Sequence, residues 1–165
     1  MYADRMSINP YAQYVAGEDL VRSLERTPRR IEQLVSSWPD DAFERSHAPG
    51  KWTGRQLLTH LAQVELVFAN RLRFALADDA YVIQPFDQDA WMRVEPGVNG
   101  HAALAAYLGL RSMNFALCRT LTAEQRARTC THPEHGPVSI EWVMTFFAGH
   151  ERHHLPQLEA IGKGE

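Results

Sequence analysis

Hydrophobic residues recur at helical spacing in four long stretches of the chain, separated by segments rich in proline, glycine and polar residues. The predicted helices cover residues 14–39, 53–77, 100–121 and 139–161. No stretch shows the alternation of hydrophobic and polar residues that marks a half-buried strand. The pattern therefore predicts an all-α fold, a four-helix bundle, and the length favours one domain over residues 1–165.

Two capping patterns sharpen the helix boundaries. Thr53 is followed three residues later by Gln56, which is a capping box before the second helix. Thr122 and Gln125 repeat the pattern and predict a short extra helical turn that ends near Arg128.

The first predicted helix is interrupted at Thr27 and Pro28. Proline lacks an amide hydrogen and clashes with the preceding turn, so we expect a kink or a restart, with Thr27 as the new N-cap. Residues 1–13 have no clear period and are expected to form a leader or a docking arm. Residues 39–51 are expected to form a loop.

The connection between the second and third helices, residues 78–99, is long for a turn within a bundle. Such a length is typical of a crossover, which would leave these helices parallel and give an up-down-down-up order. The segment also carries Tyr81, Phe86 and Trp91. These aromatic residues could cover a substrate, or they could simply cap the end of the bundle.

The last helix carries His150 and His154 on its hydrophobic face. At 100° per residue, His154 lies about 40° from His150, and Val143 lies about 20° away. Imidazoles one turn apart can ligate the same metal ion, whereas burying them without partners would cost about 1–3 kcal/mol each. His153 falls at the edge of this face and is expected at the boundary with solvent.

A further histidine, His60, lies on or beside the buried stripe of the second helix. Alone, such a residue is more often a hydrogen-bonded core histidine than a ligand, but the pair on the last helix favours a shared site. His132 and His135 lie in a segment rich in turn residues, and we expect both to be exposed to solvent.

Charge and composition narrow the possible partners. The net charge is −3 and no basic face is evident, which excludes a typical nucleic-acid-binding protein and leaves a small molecule as the expected partner. No run approaches the ~18 apolar residues of a membrane span, and the first residues lack the apolar core of a signal peptide, so we expect a cytoplasmic protein. Cys118 and Cys130 have no metal-ligand spacing and are interpreted as packing residues.

The segments GKWTGRQLLTHLAQVE and, about ninety residues later, GHERHHLPQL resemble the DinB-like family of metal-dependent proteins. The resemblance extends from Leu20 to Ile161 and implies a four-helix bundle, commonly homodimeric. It also implies one divalent metal ion held by three histidines, which in this chain are His60, His150 and His154. The family includes transferases that use low-molecular-weight bacterial thiols, as well as thiol-dependent isomerases, and it does not imply DNA binding.

The resemblance favours a metal-dependent transferase that uses a low-molecular-weight thiol through a metal-activated thiolate. The alternatives are a metal-dependent hydrolase that uses metal-bound water and a non-catalytic metal-binding bundle. Three protein ligands leave a coordination position open, as in catalytic rather than structural zinc sites. Zinc or nickel is the expected ion, with iron or manganese as further candidates; several first-row ions suit imidazole, so the ligand type alone does not select one.

Other residues are candidates for supporting roles. Glu65 and Gln157 could orient the ligands from outside, whereas Glu151 is expected to be a surface or boundary residue. The carboxylate of a cosubstrate could be held by one of three arginines: Arg71, Arg73 and Arg111. A homodimer is also expected because Tyr107, Met113 and Phe115 do not all fit on one side of the third helix.

Overall fold

The computed structural model describes residues 8–164, which form six α-helices and one β-hairpin. Four of the helices are long and form a four-helix bundle, as predicted. The elements are α1 (Leu20–Ser36), α2 (Gly54–Ala77), α3 (Gln88–Val94), α4 (Gly100–Cys118), α5 (Ala123–Ala127), β1 (Thr129–His132), β2 (Gly136–Ser139) and α6 (Ile140–Lys163), with 3₁₀ turns at Ala12–Val15 and Asp40–Glu44. No helix within residues 8–164 is long and apolar enough to cross a bilayer.

Ion pairs show that the first and last helices run in the same direction. Glu18, just before α1, pairs with Arg152 at 3.0 Å, and Arg30 pairs with Glu159 at 3.1 Å. Residue numbers therefore rise together along α1 and α6, so these helices are parallel.

The second and fourth helices are also parallel to each other. Arg55, at the start of α2, donates a hydrogen bond to the carbonyl of Pro96, just before α4. Further along, Arg73 donates to Asn114 at 2.9 Å. Helix α2 runs antiparallel to α6, because the ring of His60 contacts that of His154 while the ring of Phe68 stacks on that of Phe147. The long helices therefore have the predicted up-down-down-up order, and the segment before α4 is the crossover.

The predicted restart of the helix at Pro28 is wrong, because α1 continues through this residue. Its N-cap is Asp19, whose side chain accepts a hydrogen bond from the backbone, and Thr27 lies inside the helix. Proline leaves the carbonyl one turn earlier, that of Leu24, without its usual donor. The Arg111 side chain from α4 fills this role, since its Nη1 donates to Leu24 O at 3.3 Å.

The two predicted capping boxes are present, at Thr53 with Gln56 and at Thr122 with Gln125. The short helical turn that follows Thr122 is α5. Helix α4 ends at Cys118, three residues earlier than predicted.

The prediction of no strand is wrong for residues 129–139, which form an antiparallel hairpin. Each strand has only four residues, so neither is long enough to give a periodic signal. The hairpin also pairs with the crossover, where Ile83 N donates to Thr131 O at 2.8 Å. This pairing brings the crossover and the hairpin together at one side of the bundle.

Two hydrophobic clusters form the core, one including Phe68, Ile83 and Met144 and the other including Leu58 and Tyr107. The cysteines Cys118 and Cys130 are free and buried in the first cluster. Between the clusters lies a layer of buried polar side chains: His60, Gln63, Glu65, Arg111, Asn114, His150, Glu151 and His154. The candidate site lies in this polar layer.

Candidate metal centre

Three histidines from two helices meet in the polar layer. The Nε2 atom of His150 lies 3.2 Å from Nε2 of His60 and 3.1 Å from Nε2 of His154. Their exposed fractions are only 6%, 1% and 8%, respectively. The i, i+4 spacing places two imidazoles on one face of α6, and the antiparallel contact with α2 brings the third imidazole opposite them.

Hydrogen bonding alone does not satisfy this group of nitrogen atoms. His154 Nδ1 lies 2.8 Å from Gln157 Oε1, and an amide oxygen accepts, so Nδ1 carries the proton and Nε2 of the neutral ring has a lone pair. His150 Nε2 can donate to His154 or accept from His60, but it cannot do both in one neutral tautomer. The Nδ1 atoms of His60 and His150 are also buried without a partner.

A divalent cation fits the same group of atoms. Zinc–nitrogen bonds of about 2.0–2.1 Å in a tetrahedral site place two ligand nitrogens about 3.3–3.4 Å apart. The observed separations of 3.1 and 3.2 Å are close to this spacing. All three nitrogens can then direct a lone pair at one ion.

The environment keeps these imidazoles neutral. Burial, with a contribution from the neighbouring His154, lowers the pKa of His60 to about 3. Burial also lowers the pKa of His154 to about 4 and holds the pKa of His150 well below its usual value. Neutral imidazole is the form that ligates metals, so the site is ready for a cation at neutral pH.

The predicted supporting residues divide into two groups. Gln157 contacts the site, because its side-chain oxygen fixes the tautomer of His154. Glu65 instead belongs to a separate ion cluster, where it accepts from Arg111 Nη2 at 2.6 Å and from Asn114 Nδ2 at 2.9 Å.

The expectation that Glu151 lies at the surface is wrong. Its side chain is 2% exposed and accepts a hydrogen bond from Arg111 Nη1 at 3.1 Å. Burial, followed by repulsion from Glu65, raises the pKa of Glu151 well above its usual value. Arg111 is therefore held between two carboxyl groups and is not free to bind a cosubstrate.

The described part of the expected N-terminal arm packs over the last helix, whereas residues 1–7 lie outside the described residues. Asn9 Nδ2 donates to Trp142 O at 3.0 Å, and the Tyr11 ring meets His150 edge-on with 5.0 Å between ring centres. A Cβ atom at Gly149 would lie 2.1 Å from Tyr11 O, so only glycine allows this close approach. Tyr11 thus forms one wall beside the histidines.

A cavity of about 210 Å³ opens beside the histidine cluster and is lined by two of its members, His60 and His150. The crossover contributes Phe86 to its wall, and Trp91 packs edge-on against Phe86 with 4.9 Å between ring centres. Trp91 itself is 38% exposed and lies behind the wall. The remaining walls come mainly from α2, α6 and the hairpin, through His60, Val64, Val67, Arg71, His132, Glu134, Phe147 and His150.

The predicted exposure of His132 is wrong, because its side chain is buried against the ring of Trp142. Of the two other candidate arginines, Arg73 donates to Ala69 O and to Asn114, whereas Arg71 lines the cavity. The burial of His132 depends on the hairpin, which has no periodic signal. Arg71 lies on the same face of α2 as His60, about 20° away over 11 residues, so the helical period indicates its position.

A family model described as the DinB superfamily matches residues 23–158. The chain belongs to the DinB superfamily. Among its relatives, a candidate metal-dependent hydrolase from Oceanobacillus iheyensis is 28% identical over 87% of this chain and 84% of the relative. YfiT from Bacillus subtilis, also named as a candidate metal-dependent hydrolase, is 26% identical over 87% of this chain and 82% of its own. The resemblance seen in the sequence is confirmed.

Two solved structures share the fold of this chain. The structure of Bacillus subtilis YfiT, described as a four-helix bundle of unusual topology, superposes with a TM-score of 0.79 at 25% identity and covers 99% of this chain and 93% of that one. A mycothiol-dependent maleylpyruvate isomerase superposes with a TM-score of 0.69 at 13% identity, over 84% of this chain and 59% of that one. The second likeness is one of fold alone.

Proposed function

We propose that this protein is a metal-dependent enzyme whose single divalent ion is held by Nε2 of His60, His150 and His154. The observation that carries the proposal is the convergence of three buried nitrogens that no set of neutral tautomers can satisfy. Zinc and nickel suit three imidazoles best, with iron and manganese as further candidates. The cavity beside the histidines supplies room for a substrate at the open coordination position.

We propose transfer of a low-molecular-weight thiol as the reaction. An ion held by His60, His150 and His154 would lower the pKa of a thiol from its usual value of about 8.5 and so would make thiolate available at neutral pH. The sulfur then forms a bond to an electrophilic carbon of the second substrate, the leaving group departs with its bonding electrons, and the thiol proton passes to solvent.

The distribution of carboxylates supports thiol transfer over hydrolysis. Metal-dependent hydrolases commonly place a carboxylate beside the ion as a general base for water. Here Glu65 and Glu151 are tied to Arg111, and the carboxylate in the cavity wall, Glu134, lies on the hairpin. A thiol whose pKa the bound ion would lower would need no such base.

Hydrolysis is the second candidate, favoured by the names of relatives that match more than four-fifths of this chain. One experiment separates the two reactions. Metal-loaded protein is incubated with 1-chloro-2,4-dinitrobenzene and a panel of small thiols, and separately with activated esters without thiol. We expect thiol-dependent S-aryl product that disappears after chelation and returns with zinc or nickel.

Ester hydrolysis at the same rate with and without thiol, together with no S-aryl product, would instead select the hydrolase. The His150→Ala variant is the matched control, because it removes one proposed metal ligand and leaves the other residues of the cavity wall unchanged. Metal bound at one ion per chain with no turnover in either assay would select the non-catalytic alternative.

A further inference from the structure

The cavity has imidazoles at one end and a guanidinium at the other. Arg71 follows His60 by 11 residues on α2, which is three turns and an angular offset of about 20°, so both lie on one face about 16 Å apart along the axis. Val64 and Val67 lie between them on the same face and line the cavity. Along α2 the cavity wall is therefore apolar between the imidazole of His60 and the charged group of Arg71.

Arg71 has far fewer polar partners than its charge and burial would require. Arg71 is only 8% exposed. Its Nη2 donates one hydrogen bond, to Gln84 O at 3.1 Å. The guanidinium carbon lies 5.7 Å from the centre of the Phe147 ring, and Nε is buried without a partner. A guanidinium has five N–H donors, so most of the donors of Arg71 lack an acceptor within residues 8–164.

No carboxylate forms an ion pair with Arg71 in the described part of the chain. Burial lowers the pKa of Arg71, and the nearby charge of Glu134 acts in the opposite direction. Arg111, the other deeply buried arginine, lies within 3.1 Å of two carboxylates. Arg71 has no carboxylate within ion-pair distance, although Glu134 lines the same cavity from the exposed hairpin. His132 adds no negative charge, and burial lowers its pKa.

We propose that Arg71 binds a carboxylate of the substrate, which makes the substrate class a carboxylic acid whose reactive polar group faces the three histidines. The inference rests on the proposed function, because the metal ion of that function would bind the other end of the substrate. A guanidinium matches the planar fork of a carboxylate. One cation among the apolar side chains of Val64, Val67 and Phe147 suits a monoanion, since a dianion such as phosphate would bury a second charge without a partner.

The test uses a series of ω-carboxyalkyl hydroxamic acids, because the hydroxamate binds the metal and the chain length sets the reach of the carboxylate. Each acid is compared with its uncharged terminal amide, and dissociation constants are measured by calorimetry on the metal-loaded protein. We expect an optimum chain length at which the acid binds about tenfold or more tightly than the amide, the effect of a hydrogen-bonded charge.

Two variants assign the preference to one residue. Arg71→Met should abolish most of the preference for the acid while leaving metal content at one ion per chain. Arg73→Met is the matched control, because it removes the same charge from the same helix at a residue that contacts Asn114 instead of the cavity. It should keep the preference. Equal binding of acid and amide by the wild-type protein would overturn the proposal, and this result does not depend on whether a variant folds. An unchanged preference for the acid in Arg71→Met would also overturn it.

A second measurement uses metal-free protein and separates this inference from the metal proposal. Hexanoate should shift the Nε–H resonance of Arg71 in nuclear magnetic resonance spectra, whereas hexanamide should not, and the resonance is assigned by its loss in Arg71→Met. A shift in a protein that never binds metal would support the anion site and reject the metal function. No shift, together with equal binding of acid and amide in the metal-loaded protein, would leave the metal function intact and reject the anion site.

Discussion

Arg111 should contribute more to stability than any surface arginine, because it compensates two buried carboxyl groups. The residue is 3% exposed, and Glu65 and Glu151 lie 2.6 and 3.1 Å from its nitrogens. Removing one partner of a buried ion pair typically costs about 3–5 kcal/mol, because the charge left behind has no compensation. Arg111→Met also leaves the carbonyl of Leu24 without a donor, so we expect a loss near the upper end of that range.

Urea unfolding of the metal-free protein measures this loss without interference from ligand binding. Arg29→Met is the control, since Arg29 forms an exposed pair with Glu25 and such pairs contribute about 0–1 kcal/mol. Glu151→Gln should also cost little, because the amide keeps an acceptor for Arg111 and removes one of two neighbouring negative charges. A loss below about 1 kcal/mol for Arg111→Met, equal to that of the surface control, would refute the reasoning.

Four further predictions follow from the site and the surface. Alanine at any of the three cavity histidines should lower bound metal well below one ion per chain by elemental analysis, while His135→Ala should retain it, and equal retention would reject the ligand set. The free energy of unfolding of the metal-free protein, measured in urea, should fall as pH falls from about 7 to 4. The unfolded state takes up protons near pH 6.5, whereas His60 and His154 in the folded state have pKa values of about 3 and 4 and do not. A flat profile would contradict this. Sedimentation at micromolar concentration should show a species of twice 18.8 kDa, since Met113 and Phe74 are half exposed, and a monomer alone would oppose a dimer. Trp91→Ala should change KM or the preferred electrophile at constant metal content, because Trp91 supports Phe86 in the cavity wall. A loss of about 3 kcal/mol in the free energy of unfolding with unchanged selectivity would instead indicate a structural cap.

The bundle and the three histidines could be predicted because their signals are local and periodic. His150 and His154 are one turn apart on the same hydrophobic face, and the two capping boxes fix helix starts within a few residues. The long crossover then limits the order of the helices. Each of these signals can be read within a single helix or a single connection.

The features that were not predicted depend on contacts between distant segments. The sequence predicts a helix break at Pro28 because the side chain that donates to the carbonyl of Leu24, Arg111, lies 87 residues away in the sequence. The buried position of His132 depends on the hairpin, which is too short for a periodic pattern. The sequence predicts Glu151 at the surface because a carboxylate is rarely buried without a partner, and its partner, Arg111, is distant in the sequence.

Two adjacent residues of α6, His150 and Glu151, have different partners in the polar layer. His150 and Glu151 differ by about 100° around α6, so His150 faces α2 and the cavity while Glu151 faces Arg111 on α4. Because the arginine engages both carboxyl groups, neither acid competes with the imidazoles for a cation. The chain therefore keeps three neutral nitrogen donors together on one side of the layer and holds its two buried carboxyl groups on the other side, paired with Arg111. An ion that prefers imidazole to carboxylate would bind such a site selectively, which favours zinc or nickel over magnesium or calcium.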